Sequence, residues 1–85
     1  MTYGVIWQTV AENELAAIWI ASADRDAVAA AAEWLEGRLS RDPLSLGESR
    51  DSSVHRIVFR HPIGLEFEVV EDDKRVIVEG VFNVK

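Results

Sequence analysis

The hydrophobic period of this chain changes once, across "DPLSLGESR" at residues 42–50, and that change constrains the fold more than any other feature. Before it, apolar residues recur at helical spacing; after it, they alternate. Ala11, Leu15 and Ile18 lie at i, i+4 and i+7, with Trp19 widening the stripe. Val28, Ala31, Ala32, Leu35 and Leu39 form a second stripe at i, i+3, i+4, i+7 and i+11. Between the stripes "SAD" breaks the pattern, and Asp24 is a good N-cap for the second helix, with Asp26 near its positive end. "TVAE" reads as a capping box for the first helix, Thr9 and Glu12 each reaching the other's backbone N–H. Pro43 stops the second helix by pushing the residue before it out of helical geometry. Residues 9–41 therefore predict an αα-hairpin.

The remainder predicts strands. "TYGVIWQ", rich in aromatic and β-branched residues, precedes the hairpin as a first strand. In "VHRIVFRH" Ile57 and Phe59 alternate with Arg56, Val58 and Arg60, and in "LEFEV" Leu65, Phe67 and Val69 alternate with Glu66 and Glu68. "PIG" suits a three-residue hairpin loop with Gly64 in the left-handed position. That loop pairs Phe59 with Phe67 and Ile57 with Val69 on the core face, and sets Arg60 opposite Glu66 on the other. A loop at Asp72-Asp73 pairs Val69 with Val76, Phe67 with Val78 and Glu66 with Glu79, and Gly80 suggests a bulge or a close approach. The expected architecture is α+β, a two-layer βααβββ arrangement in which a helical hairpin covers one face of an antiparallel meander. Its open face is expected to carry Arg56, Val58, Arg60, Glu66, Glu68, Ile77, Glu79, Val81 and Asn83.

Length and composition narrow the function. The 85 residues make one domain, 1–85. With no cysteine, disulfides, thiolate metal sites and thiol nucleophiles are excluded. No basic, apolar leader and no apolar run of ~20 residues is present, so a cytoplasmic protein without membrane association is expected. Fifteen acidic residues against nine basic ones give a net charge of −6, which disfavours nucleic acid at long range. Phosphate-binding glycine loops and serine–histidine–acid patterns are absent, and no cofactor is expected.

Several stretches, taken in order, resemble the RelE/ParE-like toxin superfamily of bacterial type II toxin–antitoxin systems. They are "YGVIWQTVAENELAAIW", "DPLSLGESR", "HRIVF" and "PIGLEFEV" followed by a C-terminal strand, and together they span nearly the whole chain. The resemblance implies a βααβββ fold, a cognate antitoxin as partner and a working sheet face. RelE-like members cut messenger RNA on the ribosome, the 2′-hydroxyl attacking the adjacent phosphate with help from basic residues and often a carboxylate or a histidine and tyrosine. ParE-like members act on DNA gyrase.

Arg56 and Arg60 are the sequence's candidates for phosphate contact, since guanidinium groups bind phosphate oxygens bidentately. The plainer reading is that they balance Glu66, Glu68 and Glu79 on a solvated face. Glu48 and Arg50 lie near the position of a glutamate base in one ribonuclease branch of the superfamily. The plainer reading has Gly47 turn the chain tightly, leaves Glu48 a loop residue and pairs Arg50 with a nearby acid. Arg50 is the stronger candidate of the two, joining Arg56 and Arg60 at the edge of the working face. The chain departs from that branch in two places. Gly64 stands where an arginine is expected, and "VFNVK" lacks the histidine–tyrosine ending. A toxin or toxin-like component without the full ribonuclease residue set is therefore the expectation, and a catalytically inert interaction module on the same fold is the alternative. His55 and His61 fall on the predicted core face at strand ends, without further metal ligands at suitable spacing. Trp19 and Trp34 read as helix packing rather than base stacking.

Overall fold

The computed structural model describes residues 2–46, 48–49 and 55–84. Its elements are β1 (Gly4–Trp7), α1 (Thr9–Ala21), α2 (Arg25–Arg41), a 3-10 turn (Pro43–Ser45), β2 (Glu48–Ser49), β3 (His55–Arg60), β4 (Ile63–Val70) and β5 (Arg75–Asn83). The helical hairpin thus occupies the span its periodicity predicts. The strands form one sheet in the order β1-β5-β4-β3-β2, with β1 parallel to β5 and the other neighbours antiparallel.

Local chemistry explains the helix ends. The Asp24 side chain accepts from the Ala27 N–H at 3.0 Å, as its N-cap position predicts. The capping box at Thr9 does not form: Thr9 is already helical, the N-cap is Gln8, and no side chain caps that end. Instead the Gln8 N–H donates to the Val78 carbonyl at 3.0 Å, so the chain passes straight from the sheet ladder into α1. At the other end of α1, Arg25 donates to the carbonyl oxygens of Trp19 (3.2 Å) and Ile20 (2.9 Å), a cation placed at the negative helix end. Pro43 is buried and opens the 3-10 turn directly after α2.

The core lies between the helices and one sheet face. Ala11, Val28, Ala31, Leu35 and Leu39 pack against Ile63, Leu65, Phe67, Val69, Val76 and Val78. Burying a side chain of that size contributes about 1.5–3 kcal/mol. No buried polar or charged residue interrupts this layer among the described residues.

The β4–β5 register agrees with the sequence pattern near the turn, with Val69 opposite Val76 and Phe67 opposite Val78. Beyond Phe67 a bulge intervenes, and Glu66 faces Gly80 instead of Glu79. The bulge also turns Val81, opposite Leu65, into the core, where it is 4% exposed. Gly80 thus sits at the irregularity its presence suggests.

The β3–β4 hairpin differs from its prediction. Arg60 pairs with Ile63, Phe59 with Gly64 and Ile57 with Glu66, so the loop is His61-Pro62, with a cis peptide bond, and Ile63 and Gly64 are strand residues. Two packing terms outweigh the turn propensity of glycine. Ile63 becomes completely buried. Gly64 lies beneath the rings of Phe59 and Phe82, where an added Cβ would come within 2.5 Å of Phe82 and 3.1 Å of Phe59. Its role is close approach, not left-handed geometry.

Candidate functional site

The changed register inverts the faces of β3. Val58 is buried, and Arg56 and Arg60, two residues to either side, share its face beneath the helices. His55, Ile57 and Phe59 share the open face with Glu66 and Glu68. The expected open face therefore loses Arg56, Val58 and Arg60 to the helix side, while the bulge does the same for Val81 and Asn83. The two arginines do not neutralise the glutamates across the sheet.

On the helix side, both arginines are engaged. Arg56 donates from Nε to the Leu46 carbonyl at 2.8 Å, tying β3 to the end of the 3-10 turn. Arg60 lies over the Trp34 ring of α2, its guanidinium 4.2 Å from the ring centroid, and Arg38 approaches the same ring at 5.3 Å. Trp34 is partly exposed, so the three side chains form a cationic–aromatic edge where α2 meets β3. Glu48 lies in β2, paired with Ile57 of β3, and Arg50 lies outside the described residues, as does the turn expected at Gly47.

The open face has two parts. Phe59 and Phe82 flank Gly64 from the neighbouring strands and meet edge to face, with ring centroids 5.7 Å apart. Beside them lies a polar cluster that the sequence reading missed, because its β3 phase turned His55 inward. His55 is the direct cross-strand partner of Glu68, with Nε2 3.8 Å from Oε1. Glu79, the extra residue of the bulge, joins them, and potential ligand atoms of the three all lie within 4.8 Å of one another.

A third feature lies between the helices. Trp7, Leu15, Ala16, Trp19, Val28 and Ala32 line an open apolar groove of about 470 Å³, with Glu12, Glu33 and Glu36 also along it. Trp7 donates from its indole to Glu36 at 2.6 Å, which fixes one side. Trp19 is 41% exposed, so part of the apolar stripe of α1 faces this groove rather than the core. Far from it, at the start of β1, the Tyr3 hydroxyl donates to Glu71, which also accepts from Lys74 at 3.0 Å. The Tyr3 hydrogen bond first, and then that from Lys74, holds the Glu71 carboxyl below its ordinary range. Its bond to Glu71 is likewise the main cause of the upward shift of each partner, Tyr3 and Lys74.

A parallel β1 inserted beside the last strand, followed by a helical hairpin on one face of an antiparallel meander, defines an α+β class of small protein. Its solved counterparts are RelE/ParE-like toxin–antitoxin structures, and the chain has that fold. One chain of the toxin–antitoxin complex RelBE2 from Mycobacterium tuberculosis superimposes with a TM-score of 0.78 at 24% identity, covering 99% of this chain and 100% of that one. A chain of the chromosomal ParDE toxin–antitoxin system from P. aeruginosa gives 0.70 at 16% identity, covering 98% and 97%. A mutant of the E. coli toxin RelE in the free state gives 0.71 at 15% identity, covering 98% of this chain and 84% of that one. No protein-family model matches the chain, and no curated protein matches it by sequence.

Proposed function

We propose that the protein is a toxin or toxin-like component of a bacterial type II toxin–antitoxin system, held by a cognate antitoxin and acting through protein contact rather than RNA cleavage. The observation that carries this reading is the likeness to chains of two toxin–antitoxin systems over 98–99% of this chain and 97–100% of theirs. The groove between α1 and α2 supports a protein partner: its apolar floor and glutamates suit an amphipathic segment with basic flanks.

The site chemistry argues against the ribonuclease branch. Such cleavage needs a positioned base, an acid and cations around one phosphate. Arg56 and Arg60 lie on the helix side, engaged by the Leu46 carbonyl and by Trp34. Gly64 occupies the place of a further arginine because the Phe59–Phe82 pair needs the space. We assign to the edge bearing Arg56 and Arg60 an electrostatic contact with an anionic group of the target, which needs their charge but not the convergent base, acid and cations of cleavage. Glu48, in the β2 strand paired with β3, is assigned to the same edge, and Arg50 is proposed with it from the sequence alone, since it lies outside the described residues. With Gly64 in place of an arginine and the ending "VFNVK" in place of histidine–tyrosine, a gyrase-type target is proposed ahead of ribosome-bound messenger RNA. A cytoplasmic site of action belongs to the same proposal; no helix among the described residues is long and apolar enough to cross a membrane.

The second reading, an inert interaction module, is favoured by one observation: the open face carries Glu66, Glu68 and Glu79 without the β3 arginines. Induced expression alone and together with the neighbouring small reading frame separates the readings. Growth arrest relieved by co-expression is expected of a toxin. Unimpaired growth in both cases would sink that assignment and leave the module.

A further inference from the structure

We propose that His55, Glu68 and Glu79 form a binding site for a first-row divalent metal ion of the zinc class on the open face of the sheet. The site is independent of the toxin reading and uses none of the residues assigned to it.

Three features of the backbone bring the donors together. The β3–β4 register puts His55 directly across from Glu68 on the open face, with 3.8 Å between Nε2 and Oε1. Val78 pairs with Phe67 and Gly80 with Glu66, leaving Glu79 as the inserted residue of the bulge. That insertion brings its carboxylate to the other two, so that one imidazole nitrogen and two carboxylate oxygens lie within 4.8 Å of one another. Around a tetrahedral zinc ion with bonds of about 2.1 Å, neighbouring donors are about 3.4 Å apart. Small torsional adjustments of the two glutamate side chains close that difference. All three residues are half-buried, so the site is open to solvent yet set on regular strands rather than a loop.

Charge points the same way. Two carboxylates near one another repel unless a cation sits between them. The β3 arginines that sequence alone places beside them face the helices instead. Arg75 shares the open face further along β5 but makes no ion pair with Glu68 or Glu79 among the described residues. One nitrogen and two oxygen donors suit zinc better than magnesium or calcium, which prefer all-oxygen shells. Three protein ligands leave at least one position for water or for a donor from a bound partner.

The test is calorimetric titration of the full chain with zinc chloride, repeated with cobalt(II) followed by visible absorption. One ion per chain is expected, with cobalt bands typical of four or five coordination. His55→Ala, Glu68→Gln and Glu79→Gln should each weaken binding by about tenfold or more, since even outer-shell losses have effects of that size. His61→Ala and Glu66→Gln should leave it unchanged. Far-UV circular dichroism and melting in chelator establish that each variant is folded, and zinc should raise the melting temperature of the parent but not of His55→Ala. The absence of saturable binding overturns the proposal. So does binding that survives the three ligand substitutions, or that is lost in His61→Ala.

Discussion

Phe59 and Phe82, on strands that do not touch, meet edge to face with centroids 5.7 Å apart across the intervening Gly64. The glycine is what permits the contact, because an added Cβ would clash with the Phe82 ring at 2.5 Å and crowd that of Phe59 at 3.1 Å. Gly64→Ala should therefore destabilise the fold by about 1–3 kcal/mol, the range for overpacking. Denaturant unfolding measures it, and adding Phe82→Ala should recover part of the loss. An additive double variant would mean that the rings are not what Gly64 accommodates.

Arg60 and Trp34 join β3 to α2 at a partly exposed site. A double-mutant cycle with Arg60→Ala and Trp34→Leu should give a coupling energy of about 0.5–1 kcal/mol, the range for exposed cation–π pairs. Arg60→Lys should retain only part of it, because an ammonium cannot stack as a planar guanidinium does.

Glu71 ties β1 to the β4–β5 turn through Tyr3 and Lys74. Its carboxyl is held below the ordinary value of 4.5, so between the folded and unfolded values the unfolded chain binds more protons. Its contribution is present above 4.5 and is lost as pH falls through the lowered folded value. Lys74 and Tyr3 are shifted upward, so their contributions are lost only as pH rises through their raised folded values. Melting temperatures of Glu71→Gln should show a flatter acid flank than those of the parent. Identical acid flanks would remove Glu71 from the account.

The groove between α1 and α2 makes a prediction about the partner. Ala16→Glu and Ala29→Glu change exposed groove positions that are helical and outside the core. They should leave the melting temperature within about 0.5 kcal/mol equivalent of the parent, as surface substitutions do. They should also weaken antitoxin binding at least about tenfold, a difference of about 1.4 kcal/mol. Glu12→Lys and Glu33→Lys should reduce the salt dependence of the association rate. Unchanged affinity in all four, measured by surface plasmon resonance, would place the antitoxin elsewhere.

Much of the fold was legible in the sequence. The stripes from Ala11 to Ile18 and from Val28 to Leu39 define both helices, and Val69–Val76 with Phe67–Val78 define the β4–β5 register. The phase of β3 was not legible, because Ile57, Val58 and Phe59 are consecutive apolar residues and alternation cannot say which of them faces inward. Gly64 deepened the error, since its turn propensity is visible in sequence and the two rings above it are not. The same phase error hid the cluster at His55. Gly80 did signal the bulge, but only the ladder reveals that Glu79 is the inserted residue.

One consequence concerns the edge of the sheet. β1 pairs with β5 only from Arg75 to Val78, which leaves the later part of that strand beyond its reach. There the Glu14 carboxylate of α1 accepts from the Val81 N–H at 3.1 Å. A side chain thus holds an amide that a strand from another molecule would otherwise recruit. The helix that covers the core also reaches round to the sheet edge, and places a carboxylate where an incoming strand would need a carbonyl.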